Sequence, residues 1–457
     1  MAEQFYIDRI DIDGTEIKGF VSHSLNPAVQ RVLNAGGSEL DPSMVAVSGV
    51  APVLTGVTVD VGPALAALFN AVNIPHLAFS TNCDVWFAAA AAGGSRGGAL
   101  KNTRMRMTKG VVVPTTLSNG PMGVAQLGLA IYPDYDGTNP IVAFLAEQNL
   151  PAGTAGAAAL WNCRALKNGT LGSVLHRLAG LNLDFGVRVQ RDTPANSIYP
   201  RDTALTGFNP TLTWRTGDVA TALAASGLAG AVAAAGGLIL YIAQYSAAAA
   251  GVQTTGAKTL TMRAGSPWWT PGLQLTNGQL VMLDYICRGM GAAGLTNPPL
   301  AYATGVDISA VTESTSSFLY MAGPVKDNIT EIEYQNCNIA TGIDWEMPES
   351  ASEPWPTYAS IRRREPSIQV DTQDLDYIDG LPIGGKPVDT IFKAFLRKLT
   401  VDSEPIADVS IVHTLISCAA GWIEIGDVGG EHAAMISPGM LVTPTGGLAL
   451  NTAIAIT

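Results

Sequence analysis

The chain has little charge, because only 14% of its 457 residues are charged whereas 47% are hydrophobic. It also lacks the sequence patterns of common enzyme sites: it has no Walker loop, no HExxH, no GxSxG elbow between a strand and a helix, and no GxGxxG that opens a helix after a strand. None of its five histidines pairs with another at metal-ligand spacing. The sequence therefore predicts no enzyme, no cofactor and no metal site.

Cysteine is equally scarce and forms no recognisable framework. The five cysteines include no CxxC pair, and their odd number argues against a set of structural disulfides. We expect them to be small buried apolar residues. The longest uncharged stretch, residues 219–257, is interrupted by Gly, Ser, Gln and Thr, so we expect a helix and then a strand (Leu238 to Gln244) rather than a membrane span.

The chain does contain internal similarity. Met105-Arg106 matches Met262-Arg263 at an offset of 157 residues, and Thr138-Asn139-Pro140 matches Thr296-Asn297-Pro298 at an offset of 158. Two further landmarks recur three times: a glycine (Gly19, Gly186 and Gly342) and a proline (Pro42, Pro210 and Pro366). The sequence therefore predicts three units of a typical domain size, residues 1–158, 159–314 and 315–457.

Each predicted unit is rich in β-strands. Short runs such as Tyr6–Ile12 and Leu183–Val189 alternate apolar and polar residues, which is the period of a half-buried strand. One apolar segment per unit has helical spacing: Pro63 to Val72, Val219 to Ala234, and Val388 to Lys398. The predicted fold class is mainly β, with tandem β-sandwich or barrel units that are each flanked by one helix.

Charge is distributed unevenly over these units. The first carries 12 acidic and 8 basic residues, the second 7 and 10, and the third 19 and 8, so their net charges are −4, +3 and −11. An acidic protein is a poor nucleic-acid binder, because Lys and Arg supply the affinity for phosphate. Such a surface could still let nucleic acid pass without holding it, or it could serve solubility alone.

Two glycine-rich or threonine-rich loops occupy matching places in the first two units. Residues 93–98 contain Gly94, Arg96 and Gly97 between two strand-like runs, and residues 250–257 contain Thr254 and Thr255. No helix follows the glycines, so we interpret them as a hairpin loop rather than a phosphate cradle. Trp268-Trp269 align with Val111-Val112, which favours a core or interface role over a sugar platform, and Arg362-Arg363-Arg364 is read as a solvated strand end or an inter-subunit ion pair.

The runs FYIDRIDIDGTEIKGF and ITEIEYQNCNIATGIDW, together with one helix between β-rich halves, resemble the tail tube protein of long-tailed bacteriophages. The resemblance covers most of the chain at the level of pattern and has no diagnostic motif. It implies β-sandwich units that form rings, with sheets joined into an inner barrel, and rings that stack into a tube through which DNA passes. Single-unit members of that family form hexamers, and two-unit members form trimers.

The resemblance implies a virion protein, assembled in the host cytoplasm, whose partners are its own copies, other tail proteins and passing DNA, with no membrane. The three units depart from the family pattern. Two chains would complete a pseudo-sixfold ring if all three units occupy ring positions. Three chains would do so if the acidic third unit projects outward. The loops named above are the candidate contacts between rings. The alternatives are another virion component, such as a baseplate hub, capsid decoration or fibre domain, and a non-viral repeat-domain surface or adhesion protein.

Overall fold

The computed structural model describes residues 5–34, 44–70, 74–89, 102–120, 123–148, 150, 158–170, 172, 174–175, 177–228, 230–246, 253–308, 311, 319–349, 352–372, 374–381, 385–399, 407–429 and 437–444. The protein is mainly β, as the sequence predicts, with antiparallel sheets and three helices in this part of the chain. We use the terms first, second and third segment for residues 1–158, 159–314 and 315–457.

The described secondary structure has a similar order in the three segments, although the number of strands differs. The first segment contains β1 (Phe5–Ile12), β2 (Thr15–Ile17), β3 (Phe20–Asn26), β4 (Val29–Asn34), β5 (Met44–Val50), β6 (Val53–Thr58), α1 (Val61–Leu68), β7 (Leu77–Phe79), β8 (Cys83–Ala89), β9 (Asn102–Met107), β10 (Lys109–Asn119), β11 (Ala125–Asp134) and β12 (Ala143–Gln148). The second contains β13 (Trp161–Asn168), β14 (Val174–Leu175), β15 (Leu178–Asp184), β16 (Val187–Asp192), β17 (Asp202–Phe208), β18 (Thr211–Thr216), α2 (Val219–Ser226), β19 (Ala231–Val232), β20 (Leu238–Gln244), β21 (Ala257–Met262), β22 (Pro267–Trp269), β23 (Gly272–Thr276), β24 (Leu283–Arg288) and β25 (Leu300–Val306). The third contains β26 (Tyr320–Asp327), β27 (Thr330–Ile332), β28 (Tyr334–Ala340), β29 (Ile343–Glu346), β30 (Ser360–Arg364), β31 (Ser367–Thr372), α3 (Leu375–Asp379), β32 (Lys386–Leu399), β33 (Ala407–Gly429) and β34 (Ser437–Pro444).

One sheet in each segment is formed by that segment alone. Its strand order is β2-β1-β8-β9-β12 in the first segment and β14-β13-β20-β21-β25 in the second. The third segment has the corresponding order β27-β26-β32-β33, where the N-terminal part of the long strand β33 takes the last place. The predicted strand at Leu238 to Gln244 is confirmed as β20.

The other sheet runs through all three segments. Its hydrogen-bonded order is β3-β6-β11-β10 in the first segment, β15-β18-β24-β23 in the second, and β28-β31-β34-β33 in the third. Strand β10 pairs with β15, and β23 pairs with β28, so these twelve strands form one continuous antiparallel sheet. A two-stranded hairpin follows the first strand of each group: β4–β5, β16–β17 and β29–β30.

A Thr-x-Asp sequence precedes each helix and explains where the helix begins. The hydroxyl oxygens of Thr58, Thr216 and Thr372 accept hydrogen bonds from the backbone N–H groups of Asp60, Asp218 and Asp374 at 2.9, 3.1 and 2.9 Å. These three aspartates are the N-cap residues of α1, α2 and α3. The Thr58 hydroxyl also donates to the backbone carbonyl of Lys18, which fixes the end of β6 against the chain between β2 and β3.

Three helix predictions need correction. The first helix begins at Val61 rather than Pro63 and ends at Leu68, and the second ends at Ser226 rather than Ala234, because Gly227 at its C-cap has a φ of 57°. The third prediction is wrong, because residues 388–398 lie in strand β32. Phe392, Ala394 and Leu396 are buried, and the residues between them are half-buried, which is the period of a strand.

The landmarks used for the first unit were also misaligned. Gly186 and Gly342 each lie between the first strand of the continuous sheet and the hairpin, with φ of 58°. The residue in this place in the first segment is Ala28, with φ of 43°, and not Gly19, which precedes β3. The predicted strand Leu183–Val189 is correspondingly interrupted at Gly186. Likewise Pro52 is the counterpart of Pro210 and Pro366, whereas Pro42 lies outside the described residues.

The interior is apolar and continuous across the segments. The prediction for the cysteines is confirmed where they are described: Cys83, Cys163, Cys287 and Cys337 are buried and are not in disulfides. Burial raises the pKa of Cys163 to about 12. Among the described helices, none has the length and apolar character needed to cross a membrane.

Candidate assembly surfaces

The two places where the segments join are built on the same strand contact. At the first junction, Thr116, Leu117 and Ser118 of β10 pair with Asp184, Leu183 and Asn182 of β15. At the second junction, β23 pairs with β28 from Gly272↔Ala340 to Thr276↔Asn336. In each case the last strand of one group pairs with the first strand of the next, so every segment adds to the edge that the previous segment leaves open.

Three main-chain hydrogen bonds recur at both junctions between equivalent residues, which are 156 or 158 residues apart in the sequence. They run from Phe185 N–H to Thr115 O, from Val50 N–H to Ile198 O and from Tyr135 N–H to Pro200 O at the first junction, and from Thr341 N–H to Pro271 O, from Phe208 N–H to Pro354 O and from Gly291 N–H to Pro356 O at the second. Their lengths lie between 2.7 and 3.0 Å. The backbone geometry of the junction is therefore the same twice in one chain.

The second hairpin (β16–β17) packs on the first segment through an apolar centre with a polar border. Val187, Val189 and Leu205 contact a small cluster of buried residues formed by Val111, Val113 and Ala130. The cluster lies on the face of the continuous sheet that is turned away from the main core. The hairpin therefore covers an apolar patch of the neighbouring segment that would otherwise be exposed.

Polar contacts border this patch. Lys109 Nζ lies 2.6 Å from Asp202 Oδ1, and Thr203 Oγ1 donates to Asp134 Oδ1 at 2.7 Å. Arg191 Nη1 donates to the Pro52 carbonyl at 2.9 Å and Arg191 Nη2 lies 3.8 Å from Asp134. Burial raises the pKa of Asp134, although the Thr203 hydroxyl and Arg191 act in the opposite direction. Burial disfavours the charged form of Arg191 as well, and it therefore lowers the pKa of this guanidinium.

The third hairpin (β29–β30) packs on the second segment in the same place but with aromatic side chains. The ring centroids of Trp269 and Trp345 are 5.9 Å apart, and the Trp355 side chain is fully buried, with Nε1 donating to Ala292 O at 3.2 Å. Glu349 Oε2 lies 2.6 Å from Arg188 Nη2. The hydrogen bonds from Arg188 and Asn209 lower the pKa of Glu349.

The predicted core or interface role of Trp268 and Trp269 is confirmed, but their predicted alignment with the first segment is wrong by one residue. Trp268 belongs to the core and Trp269 lies under the third hairpin, as expected for core and interface residues. Their structural counterparts are Val112 and Val113, because Trp269 pairs with Ile286 as Val113 pairs with Ala130. The expected alignment with Val111-Val112 is one residue out.

The first segment carries the same features, and none of the residues that the structure describes covers them. Strand β3 pairs with β6 along one edge, and no pairing along its other edge occurs among the described residues. Leu25 is half-buried, whereas its counterparts Leu183 and Ile339, which face the core, are almost fully buried. His23 is exposed, whereas its counterpart Cys337 is buried. Strand β3 is therefore an open sheet edge.

The opposite end of the continuous sheet is the C-terminal part of β33. There β33 pairs with β34, and residues 427–429 correspond to the positions by which β10 and β23 pair with the next segment. Trp422 precedes this part and is 37% exposed. Its Nε1 donates to Glu424 Oε2 at 3.2 Å. The continuous sheet therefore has β3 at one end and the C-terminal part of β33 at the other. The counterparts of these two strands pair with each other at both internal junctions.

The open face of the continuous sheet, turned away from the core, is lined by hydroxyl and amide groups. The pairs Ser24↔Thr55, Asn182↔Thr213 and Asn338↔Gln369 occupy equivalent positions in the three segments. The Thr55 hydroxyl donates to Ser24 O at 3.4 Å, and the Thr213 hydroxyl donates to Asn182 O at 3.2 Å. Flanking charges include Asp184, Asp284, Asp371 and Arg215, and Arg215 Nε lies 3.6 Å from Asp284 Oδ1. Such a face is polar but offers little positive charge to a phosphate.

Of the predicted loops, one is described. Thr254 and Thr255 are exposed in the connection between β20 and β21, and Thr254 O accepts from Ile308 N–H at 2.7 Å. Gly94, Arg96 and Gly97 lie outside the described residues, although β8 and β9 on either side pair as an antiparallel hairpin. Arg362, Arg363 and Arg364 are exposed at the end of β30, as expected for a solvated strand end. A role of these loops between rings stays a prediction.

The described residues contain no group of three or more His, Cys, Asp or Glu side chains arranged to hold a metal ion. No protein-family model matches the chain, and no curated protein matches it significantly. The geometry of the junctions and the open edges is therefore what bears on function.

The sequence prediction missed two features of these surfaces. The hairpins that clasp the neighbouring segment were not predicted, although Ala51-Pro52, Asn209-Pro210 and Glu365-Pro366 follow them at spacings of 158 and 156 residues. The Thr-x-Asp sequences (TVD, TGD and TQD) have the same spacings and would have aligned the first segment correctly. Both signals are short, and only the contacts show that they mark one structural position.

Proposed function

We propose that the chain is a tandem of three related units and that copies of it assemble into rings, as a structural protein of a phage tail tube. The observation that carries the proposal is that the same junction occurs twice within the chain. At the two ends of the continuous sheet, the edges of β3 and β33 that correspond to the two sides of this junction have no strand paired to them among the described residues. A third junction of this kind, between chains, would pair the β3 edge with the β33 edge. Heterologous contacts of this type close into a ring when the rotation between units fits.

All three units take part in the continuous sheet, which favours a ring of two chains over a ring of three. In a two-chain ring the sheet would pass through six units and have no open edge. In a three-chain ring with six positions, the third unit would project outward, but this unit is joined to the second by five paired positions of β23 and β28. Covalent linkage of the units reduces the number of intermolecular contacts that a ring needs.

The proposed role of the ring is passive. The open face, with its Ser, Thr, Asn and Gln pairs and aspartates, would line the channel and let DNA pass because it provides few cations for the phosphates. The net charge of −12 acts in the same direction at longer range. The proposal includes a virion location and contacts with other tail proteins, and it requires no cofactor and no catalysis.

Negative-stain electron microscopy of the concentrated protein, combined with native mass spectrometry of single rings, tests this proposal. Hollow tubes with a ring repeat and a mass of two chains per ring are expected. Three chains per ring would reject the two-chain arrangement. Discrete particles that never stack would favour another virion component, and a protein that stays monomeric both alone and with tail-tip components would refute the ring.

A further inference from the structure

The first hairpin (β4–β5) presents an apolar face that its two counterparts use for docking. Five positions of the second hairpin and the five equivalent positions of the third are half-buried and lie on one side of each hairpin, the side that carries the contacts of Val189 and Trp345 with the neighbouring segment: Val187, Val189, Arg191, Thr203 and Leu205, and Ile343, Trp345, Met347, Ala359 and Ile361. The same positions of the first hairpin are Val29, Arg31, Leu33, Val45 and Val47. Four of these five are apolar, and all five are exposed. The exposed fractions of Leu33 and Val45 reach 62% and 60%.

The equivalence rests on register, not on sequence similarity alone. Each hairpin has the same irregularity one residue before its second inward position: between Gln30 and Arg31, between Arg188 and Val189, and between Asp344 and Trp345. The residues opposite the second inward position are Val47, Leu205 and Ile361. Arg31 therefore takes the place of Val189 and Trp345.

We infer that the first hairpin docks on the third segment of a second copy of this chain, with Arg31 facing Glu424 of that copy. This inference rests on the proposed ring and names the residues that hold its chain-to-chain contact. The occupant is a second copy because the same contact is already made twice within the chain. The second and third hairpins pack on another segment of the same chain, whereas no segment among the described residues covers the first hairpin.

Strand register identifies the receiving residue. Val113 pairs with Ala130, and Trp269 with Ile286, at the positions that the second and third hairpins cover. Ala130 is opposite Thr55, and Ile286 is opposite Thr213. In the third segment the counterpart of Thr213 is Gln369, which pairs with Leu441, and Leu441 pairs with Glu424. Glu424 is therefore the counterpart of Val113 and Trp269.

The three facing pairs match in chemistry. The first junction places valine with valine, the second places tryptophan with tryptophan at 5.9 Å, and the inferred third places arginine with glutamate. A charge pair at the contact between chains gives orientation and discriminates against wrong pairings, since like charges brought together cost several kcal/mol. The hairpin of one chain would then avoid the internal patches of another, because those patches are already covered.

The inferred junction differs from the internal ones in one respect. Pro27 stands where Phe185 and Thr341 donate an N–H to the preceding segment, and proline has no such donor. One main-chain hydrogen bond of the internal junctions is therefore absent between chains. The contact of the first hairpin would therefore contribute a larger part of the binding free energy between two copies.

A charge swap tests the inference. Arg31→Glu and Glu424→Arg should each raise the protein concentration at which assemblies sediment by about tenfold or more, because each creates a like-charged pair. The double variant Arg31→Glu/Glu424→Arg should restore the wild-type concentration. Val32→Glu is the matched control, because Val32 lies on the other face of the same hairpin and is 53% exposed.

The outcomes separate this inference from the proposed ring. If the wild type assembles and neither single variant differs from Val32→Glu, or if the double variant fails to recover, the docking position is wrong and the ring proposal stands. If the wild type never assembles, both fall together. Circular dichroism of the single variants checks that a loss of assembly is not a loss of folding.

Cross-linking gives an independent readout of position and number. The variant Arg31→Cys/Glu424→Cys, treated with a short bismaleimide, should yield covalently linked chains, and Val32→Cys/Glu424→Cys and the unsubstituted protein should yield few. In a two-chain ring the linked product stops at the dimer. Longer ladders would reject two-chain closure, and no linked product above the controls would overturn the Arg31–Glu424 contact.

Discussion

The first and second junctions share a backbone and differ in their side chains. Equivalent strands pair, and the same three main-chain hydrogen bonds recur between residues that are 156 or 158 positions apart. The patch under the second hairpin is aliphatic and bordered by the half-buried Arg191 and the buried Asp134, whereas the patch under the third is aromatic. Because main-chain hydrogen bonds do not depend on side-chain identity, they preserve the geometry while the side chains diverge.

Divergence of the facing pairs makes each junction specific. The rings of Tyr199 in the second hairpin and Tyr135 pack in a tilted arrangement with centroids 5.3 Å apart, and the equivalent positions at the second junction are Trp355 and Gly291. A Cβ on Gly291 would lie 2.2 Å from Trp355 Cδ1, so the larger indole fits because its neighbour has no side chain. Each hairpin is therefore matched to one patch, and exchanging two hairpins would create both clashes and cavities.

The largest expected effect is the loss of the Trp355 anchor. Trp355→Ala should reduce the free energy of unfolding by about 3–5 kcal/mol, since it removes a fully buried aromatic side chain and leaves a cavity. Urea unfolding followed by circular dichroism measures this change. Tyr358→Ala is the control, because Tyr358 lies in the same connection and is 60% exposed. Equal effects of the two substitutions would show that the third hairpin is not anchored through its indole.

A smaller effect is expected where the chain turns into the hairpin. Gly342→Ala should cost about 1–3 kcal/mol, because φ is 58° and the new Cβ would lie 1.9 Å from the Glu365 carbonyl oxygen. Thermal unfolding of the variant measures the loss. The same turn in the first segment accepts Ala28, where the corresponding hydrogen bond, from Ala51 N–H to Ala28 O, is longer at 3.4 Å.

Ala28→Gly provides the reciprocal control for this turn. It should stabilise the protein or leave it unchanged, since glycine relieves the left-handed strain but adds freedom to the unfolded chain. A destabilisation by Ala28→Gly as large as that by Gly342→Ala would contradict the equivalence of the two turns.

The sequence predicts the β class and much of its local structure. Alternation of apolar and polar residues predicts strand β1, and the apolar run at Leu238 to Gln244 is found as β20. The spacing of apolar residues such as Ile391, Phe392, Phe395 and Leu396 predicts a helix over residues 388–398, because these residues would share one helical face. Pairing with β26 on one side and β33 on the other decides for the strand, and this contact is not visible locally.

The assembly surfaces are predictable only in part, for a physical reason. Gly19 and Ala28 both have positive φ, and only the place of Ala28 between β3 and the first hairpin identifies it as the counterpart of Gly186 and Gly342. The junctions depend on pairing between strands far apart in the sequence, such as β10 with β15. Such long-range pairing cannot be predicted from the local spacing of apolar residues. The exposed apolar residues of the first hairpin indicate a docking surface only when they are compared with their half-buried counterparts in the other two hairpins.

The smallest expected effect concerns the polar border of the second junction. The pKa of Glu349 is lowered in the folded protein, first by its hydrogen bond with Arg188 and then by that with Asn209. A carboxyl group with a lowered folded pKa stabilises the folded state above its ordinary value of 4.5, and this contribution is lost as the pH falls through the folded value. Both partners are at least one-third exposed, so Glu349→Gln should cost less than about 1 kcal/mol at neutral pH.

The pH dependence distinguishes this border from the border of the first junction. Urea unfolding of wild type and Glu349→Gln should differ at pH 7 and converge under acid conditions. Burial raises the pKa of Asp134, so its protonation favours the folded state as the pH falls, and the advantage is lost as the pH rises through the folded value. Asp134→Asn should therefore change stability with the opposite pH trend. If the free energies of unfolding of the two variants depended on pH in the same way, the opposite shifts in the pKa of Glu349 and Asp134 would be contradicted.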